Sequence, residues 1–147
     1  MLRAIIFSLI LALCSQSYAA EKKPVILKNY GEALKMMHEK NAPGLIVFTA
    51  DWCAPCQKFK QETLLPLLPK LSKNFVIYVV DVEKEPWVAE NWRKAKRLDG
   101  LPSYHLLDRG GKNVIGSQEG FRGRAAFTQW GNTTISNWNK RNDPRMH

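Results

Sequence analysis

The apolar residues of this chain fall alternately into short continuous runs and into helical faces, a pattern that predicts an α/β layer structure. Val25-Ile26-Leu27 reads as a short first strand. After it, Tyr30, Ala33, Leu34 and Met37 recur at i, i+3, i+4 and i+7, as a helix with one apolar face requires. Asn29 can cap that helix with Glu32 reaching back from the third helical position, and Pro43-Gly44 closes the connection. Met36 and Met37 read as packing residues of this helix. Leu45-Ile46-Val47-Phe48 is an unbroken apolar run, suited to a strand covered on both faces. Residues 57–65 continue as a helix that Pro66 and Pro69 are expected to kink or end. The β-branched and aromatic run 75–82 predicts another central strand. Pro86 suits the first turn of a third helix, with Val88, Trp92 and Ala95 on one face. Residues 101–107 and 113–116 read as a hairpin turned by Asp108-Arg109-Gly110-Gly111. Phe127, Trp130, Ile135 and Trp138 share one face of a C-terminal helix, and the polar residues 139–147 are expected to fray as a tail.

The first residues have a different pattern. Arg3 precedes the apolar run 4–13, and Ser17-Tyr18-Ala19 is a small-x-small cleavage site, so residues 1–19 read as a signal peptide and residues 20–138 as one domain. The run is too short to span a bilayer, which takes about 20 residues. Cleavage is expected to leave a soluble exported protein beginning at Ala20 or Glu21, in the bacterial periplasm. An uncleaved membrane anchor is the alternative that the same pattern leaves open. Leu13 stands where a lipoprotein site wants a small residue, which argues against acylation of Cys14.

Composition adds two constraints. With 45% hydrophobic and 24% charged residues in 147, the chain has the balance of a single folded domain and not of a disordered tail. Its formal charge is +9, with cations gathered at Arg93, Lys94, Lys96 and Arg97 and again at Arg122, Arg124, Lys140, Arg141 and Arg145. Export argues against nucleic acid as the partner. Anionic membrane surface and acidic proteins are the sharper readings, beside plain solvated helix faces.

Of the three cysteines, Cys14 is lost with the leader, leaving Cys53 and Cys56. A pair three residues apart closes almost the shortest possible loop, so it gains little as a structural staple. In an oxidising compartment it is better explained as chemistry. A C-x-x-C placed where a strand ends and a helix begins suits disulfide exchange, because one turn brings the sulfurs within bonding distance. The first cysteine lies beside unpaired N–H groups at the positive end of the helix dipole, which favours its thiolate. Cys53 is therefore the expected attacking sulfur, exposed at the helix start, and Cys56 the resolving one, a turn inside. Pro55 stiffens the first turn without losing a hydrogen bond, and Ala54 adds no group that competes for the thiolate. No second C-x-x-C or C/H pair is present to complete a metal site, so no metal and no cofactor are expected. Trp52 is either packing or substrate contact. His38 and His105 are left without a role, and the sequon Asn132-Thr133-Thr134 falls in a predicted helix.

The segment Ala50-Asp51-Trp52-Cys53-Ala54-Pro55-Cys56 resembles the active site of thioredoxins, and the chain is also similar to the thioredoxin-like periplasmic domain of DsbD. The resemblance runs from about Ala33 to Trp138. Gly100-Leu101-Pro102-Ser103 matches the family's cis-proline segment in order and distance, and Gly120 matches the glycine after the hairpin. The resemblance implies a thioredoxin fold, a central mixed sheet of four or five strands flanked by helices. It further implies that Pro102 is cis and lies against the disulfide, that the Leu101 backbone pairs with substrate, and that Trp52, Ala54 and Pro55 border the substrate. Two positions depart from the family. Val47 stands where thioredoxins carry a buried aspartate and Val79 where they carry the matching lysine, so no residue is assigned to deprotonate Cys56.

The implied activity is an exported, monomeric thiol-disulfide oxidoreductase acting on protein thiols and disulfides. The Ala54-Pro55 dipeptide resembles that of reductants more than that of oxidants, which points to reduction, with a membrane-embedded thiol reductant as the source of electrons. A thioredoxin-fold binding module, or a metal-binding protein without redox turnover, is the alternative.

Overall fold

In a computed structural model, residues 26–27 and 29–142 are described; the expected leader 1–19 and the last residues of the expected tail, 143–147, lie outside them. Five strands form one mixed sheet in the order β1-β3-β2-β4-β5, with β1 at Ile26–Leu27, β2 at Gly44–Thr49, β3 at Val76–Asp81, β4 at Ser103–Leu107 and β5 at Val114–Glu119. β1, β3 and β2 are parallel, and β4 runs antiparallel to both β2 and β5.

Alternation along the strands divides the interior into two layers. Ile46, Phe48, Tyr78 and Val80 face helices α1 (Tyr30–Glu39) and α4 (Pro86–Lys94), from which Ala33, Met37, Val88, Ala89 and Trp92 are buried. Ala95, expected on the buried face of α4, caps that helix and is exposed, and Ala89 takes the inner place. Leu45, Val47, Ile77, Tyr104 and Leu106 face the other way, against α2 (Ala54–Phe59), α3 (Leu65–Leu71) and α5 (Arg124–Arg141).

The cap on α1 forms as its sequence requires, with the Glu32 N–H donating to Asn29 Oδ1 at 3.1 Å. Met37 fills the space left by a glycine at the start of β2, where a Cβ on Gly44 would come within 2.4 Å of the Met37 methyl. Of the two outcomes expected of the prolines after the cysteine motif, ending the helix does not occur. The helix passes through a π turn, Lys60–Leu64, and continues as α3 beyond Pro69. A wider turn hands the Leu65 N–H back to the Lys60 carbonyl, five residues away, and opens the coil just before the ring of Pro66. α5 likewise continues to Arg141, three residues past Trp138, into the segment expected to fray.

Aromatic side chains fasten α5 to the sheet. Phe59 stacks on Tyr104 with centroids 4.8 Å apart, and Phe127 meets Phe59, Tyr104 and Trp130 at 5.3–5.7 Å. Phe127 is the residue of α5 that is fully buried. Replacing it with alanine is expected to destabilise the protein by about 3–5 kcal/mol, the usual cost of truncating a buried phenylalanine. Urea unfolding would show this as a lower midpoint at unchanged slope.

Candidate redox site

Cys53 and Cys56 are joined as a disulfide across the first turn of α2, with Cα atoms 5.2 Å apart. Cys53 is the N-cap of α2. Its carbonyl accepts from the N–H groups of Cys56 (3.0 Å) and Gln57 (3.1 Å), and its Sγ accepts from the Cys56 N–H at 3.3 Å. The capping position that serine or aspartate usually occupies is thus filled by sulfur. Ahead of it the chain turns tightly. The Ala50 carbonyl takes the Cys53 N–H at 3.2 Å and the Gln57 side-chain amide at 3.1 Å, so the helix holds the segment that precedes it.

Both sulfur residues are buried, Cys53 at 5% and Cys56 at 1% relative exposure. The exposure expected of Cys53 belongs to the reduced protein; in the disulfide state the residue is buried. Both cysteines belong to the core cluster of Phe48, Ala50 and Trp92. Ala54 and Pro55 are exposed, and Trp52 stands 68% exposed, which excludes packing as its role. Asp51 beside it is tied down by Lys84, whose ammonium lies 2.8 Å from both Asp51 and Asp81. Those two hydrogen bonds hold the Lys84 ammonium well above the usual lysine range. Burial pushes the Asp81 carboxyl up, but the hydrogen bonds from Lys84 and from the Glu83 and Lys84 N–H groups outweigh it and leave the group below the usual range.

The Leu101–Pro102 bond is cis. Pro102 is buried, and Leu101 packs against the cluster that contains both cysteines. Among the described residues the Leu101 N–H and carbonyl make no backbone hydrogen bond. Its surroundings are fastened by Gly120, which the family pattern marks, and by Glu119, which no sequence motif singles out. Glu119 Oε1 accepts from the N–H groups of Asp99 (3.1 Å) and Gly100 (3.0 Å), and the Gly120 N–H donates to the Pro102 carbonyl at 2.8 Å. Counting along the hairpin from its Asp108 turn would set Gln118 opposite Ser103; an irregularity in the pairing at Leu106 and Leu107 shifts the register by one and brings Glu119 there instead, so simple counting could not have found it. Val47 and Val79 are direct neighbours across β2 and β3, so the two departures from the thioredoxin pattern meet as one apolar pair. Among the described residues no three His, Cys, Asp or Glu side chains gather into a metal-sized cluster.

His105 is neither a surface residue nor a bystander. It is 1% exposed in β4, its Nε2 lies 2.8 Å from Ser103 Oγ and its Nδ1 2.8 Å from Ser117 Oγ. Its ring also packs on Trp92 and Phe48. Burial pushes the imidazole down from 6.5 to about 4, with the charge of Glu119 opposing and that of Arg97 adding. The folded protein therefore holds a neutral ring where the unfolded chain would bind a proton. This stabilisation is complete above pH 6.5 and is lost as pH falls from there toward 4. A His105→Gln variant, which keeps partners for both serines, should lose about 2 kcal/mol less than the parent between pH 7 and pH 5. Urea unfolding of both proteins at the two pH values checks this.

The family profile described as a thioredoxin-like domain matches residues 30–135. The thiol:disulfide interchange protein DsbD of Vibrio vulnificus is 26% identical over 119 residues; that match covers 78% of this chain but only 20% of DsbD, so the chain spans about a fifth of that relative. An H-type thioredoxin of Ricinus communis is 33% identical over 99 residues, covering 63% of this chain and 76% of the thioredoxin. Among solved structures, a thioredoxin from Thermus thermophilus superposes with a TM-score of 0.67 at 21% identity, covering 84% of this chain and 97% of its own. The DsbH oxidoreductase superposes at 0.66 and 18% identity, covering 84% and 92%. At these identities the two structures establish the fold.

Proposed function

The chain belongs to the thioredoxin-like domain family, and from that membership we propose that it exchanges disulfides with protein partners through Cys53 and Cys56, in the reducing direction. The observation that carries the reading is the Cys53–Cys56 disulfide, set as the N-cap of α2 with the Cys56 N–H directed at Cys53 Sγ. That N–H and the helix dipole favour a thiolate at Cys53 in the reduced protein.

In the reduced protein, the Cys53 thiolate attacks one sulfur of a partner disulfide. The partner's S–S bond breaks, one partner sulfur leaves as thiolate, and a mixed disulfide forms. Cys56, having given its proton to water, attacks Cys53 Sγ and expels the second partner sulfur. Two electrons have then passed to the partner, and the protein is left with its own disulfide. Val47 and Val79 cannot take the Cys56 proton, and Asp51 is engaged by Lys84, which supports water as the acceptor. A dithiol donor, for which a membrane-embedded reductant is the natural source, restores the starting state. Trp52, Ala54 and Pro55 border the incoming chain, and the unpaired Leu101 backbone beside Pro102 is the edge to which that chain adds as a strand.

Export supports the need for such a donor, because residues 1–19 have the order of a signal peptide. No helix among the described residues is long and apolar enough to cross a membrane. Mass spectrometry of the exported protein is expected to find a start at Ala20 or Glu21. A retained Met1, or a lipid on Cys14, would remove this part of the reading.

Equilibration with glutathione should give a potential nearer the ~ −270 mV of thioredoxin than the ~ −120 mV of the oxidant DsbA. Cys53→Ser should abolish turnover in an insulin-reduction assay, whereas Cys56→Ser should accumulate mixed disulfides on Cys53. A potential near that of DsbA would reverse the direction. Full turnover by Cys53→Ser would overturn the mechanism.

A further inference from the structure

We propose that the end of the molecule opposite the disulfide is a basic platform that docks on an anionic phospholipid surface and leaves the Cys53–Cys56 pair facing away from it.

Strand direction defines the two ends. β2 and β3 start side by side at Gly44 and Val76, and Cys53 comes after the far end of β2. At the starting end lie the exit of α1, the exit of α3, the β4–β5 turn and the last turns of α5. They surround an open concavity of about 700 Å³ on which Lys40, Lys73 and Arg109 converge, with no aspartate or glutamate in its lining. An apolar depression with Lys70 at its rim adjoins it through Asn74 and Phe75, and another with Lys140 adjoins it through Asn132 and Ile135. All five cations are exposed, and none takes part in the ion pairs found among the described residues.

The acidic groups at this end are already engaged. Glu39 pairs with Lys35 at 3.8 Å, and Asp108 accepts from the Lys112 and Asn113 N–H groups and from the Asn113 side chain. At the disulfide end the signs are mixed. Lys84 is held between two aspartates, and Glu119 lies opposite Ser103. The net charge of the chain is therefore unevenly placed, and the surplus lies at the starting end.

Two features favour a membrane over an acidic protein segment. The cations come from separate elements around a broad, shallow face, which matches a plane of charge better than a single strand. The sequence also brings more charge to the same end. β1 begins at Ile26 beside the start of β3, and Leu27 lines the concavity, with Lys22 and Lys23 only five and four residues before it, a chain length of at most about 18 Å. Those lysines remain whether or not the leader is cleaved after Ala19.

The test compares partitioning of the protein onto phosphatidylcholine vesicles with and without about one-third phosphatidylglycerol, at low salt, each basic group near an anionic surface being worth about fivefold. Taking the ratio of the two cancels any contribution that does not depend on lipid charge. Lys70→Gln/Lys73→Gln/Lys140→Gln should lower that ratio about a hundredfold. Lys58→Gln/Lys60→Gln/Arg124→Gln, which removes the same charge from the disulfide end, should lower it less than about tenfold. High salt should erase the preference. Insulin reduction in solution should be unchanged in the first variant, which keeps this test separate from the redox reading. Equal losses in the two variants would overturn the proposal, since net charge alone would then explain binding. So would the absence of any preference for anionic vesicles, including the case where the platform retains polyglutamate instead.

Discussion

The rest of the structure hangs on β2. Five of its six residues are buried, with β3 on one edge, β4 on the other and helices over both faces, so none of its backbone groups can turn to water. That requirement fixes its register against both neighbours and leaves its end as the one place where the chain can change direction. The Ala50 carbonyl, Cys53 and Gln57 close the turn there, and the disulfide appears as the cap of the next helix. The chemistry is therefore attached to the most constrained strand of the sheet.

The helical segment after the cysteines carries two prolines and is kept by its packing. Buried Phe59, Leu64 and Leu68 hold the segment against the sheet on either side of Pro66. Ending the helix at the proline would expose that apolar surface, worth about 1.5–3 kcal/mol for each large side chain. A π turn gives up regular geometry over one turn and retains the burial. Thr63, fully buried within it, donates its hydroxyl to the Arg122 carbonyl at 2.6 Å and so ties the turn to the loop between β5 and α5. The same loop carries Phe121, over whose ring the Lys58 ammonium lies at 4.5 Å.

Much of this was legible in the sequence because it depends on local pattern. The helical spacing from Tyr30 to Met37, the Asn29 cap, the apolar run of β2 and the hairpin around Gly110-Gly111 each carry their own signal within a few residues. The cysteine pair was legible for the same reason. What was not legible depends chiefly on packing across the fold. Whether Pro66 bends or ends the helix stays open until the burial on both sides of it is known. His105 has no assigned role until Ser117 is brought opposite it across β4 and β5. The basic platform was hidden too, because Lys40, Lys73, Arg109 and Lys140 are scattered over a hundred positions and form no run in the sequence.

The segment around Leu101 shows what such distant partners achieve together. Glu119 holds the two N–H groups before it, Gly120 holds the carbonyl of Pro102, and Ser103 at the start of β4 is locked to the buried ring of His105. Every neighbour of Leu101 is thus fixed by a group from the hairpin, while Leu101 keeps a free donor and a free acceptor. Ordering a loop on binding costs free energy that must come out of the affinity gained. Here the ordering is done by the fold itself before any partner arrives. An edge with only one unpaired residue also offers too short a template for sheet-to-sheet association. On the proposed reading, a rigid, single-residue edge next to the cysteines suits brief pairing with an extended chain better than lasting assembly.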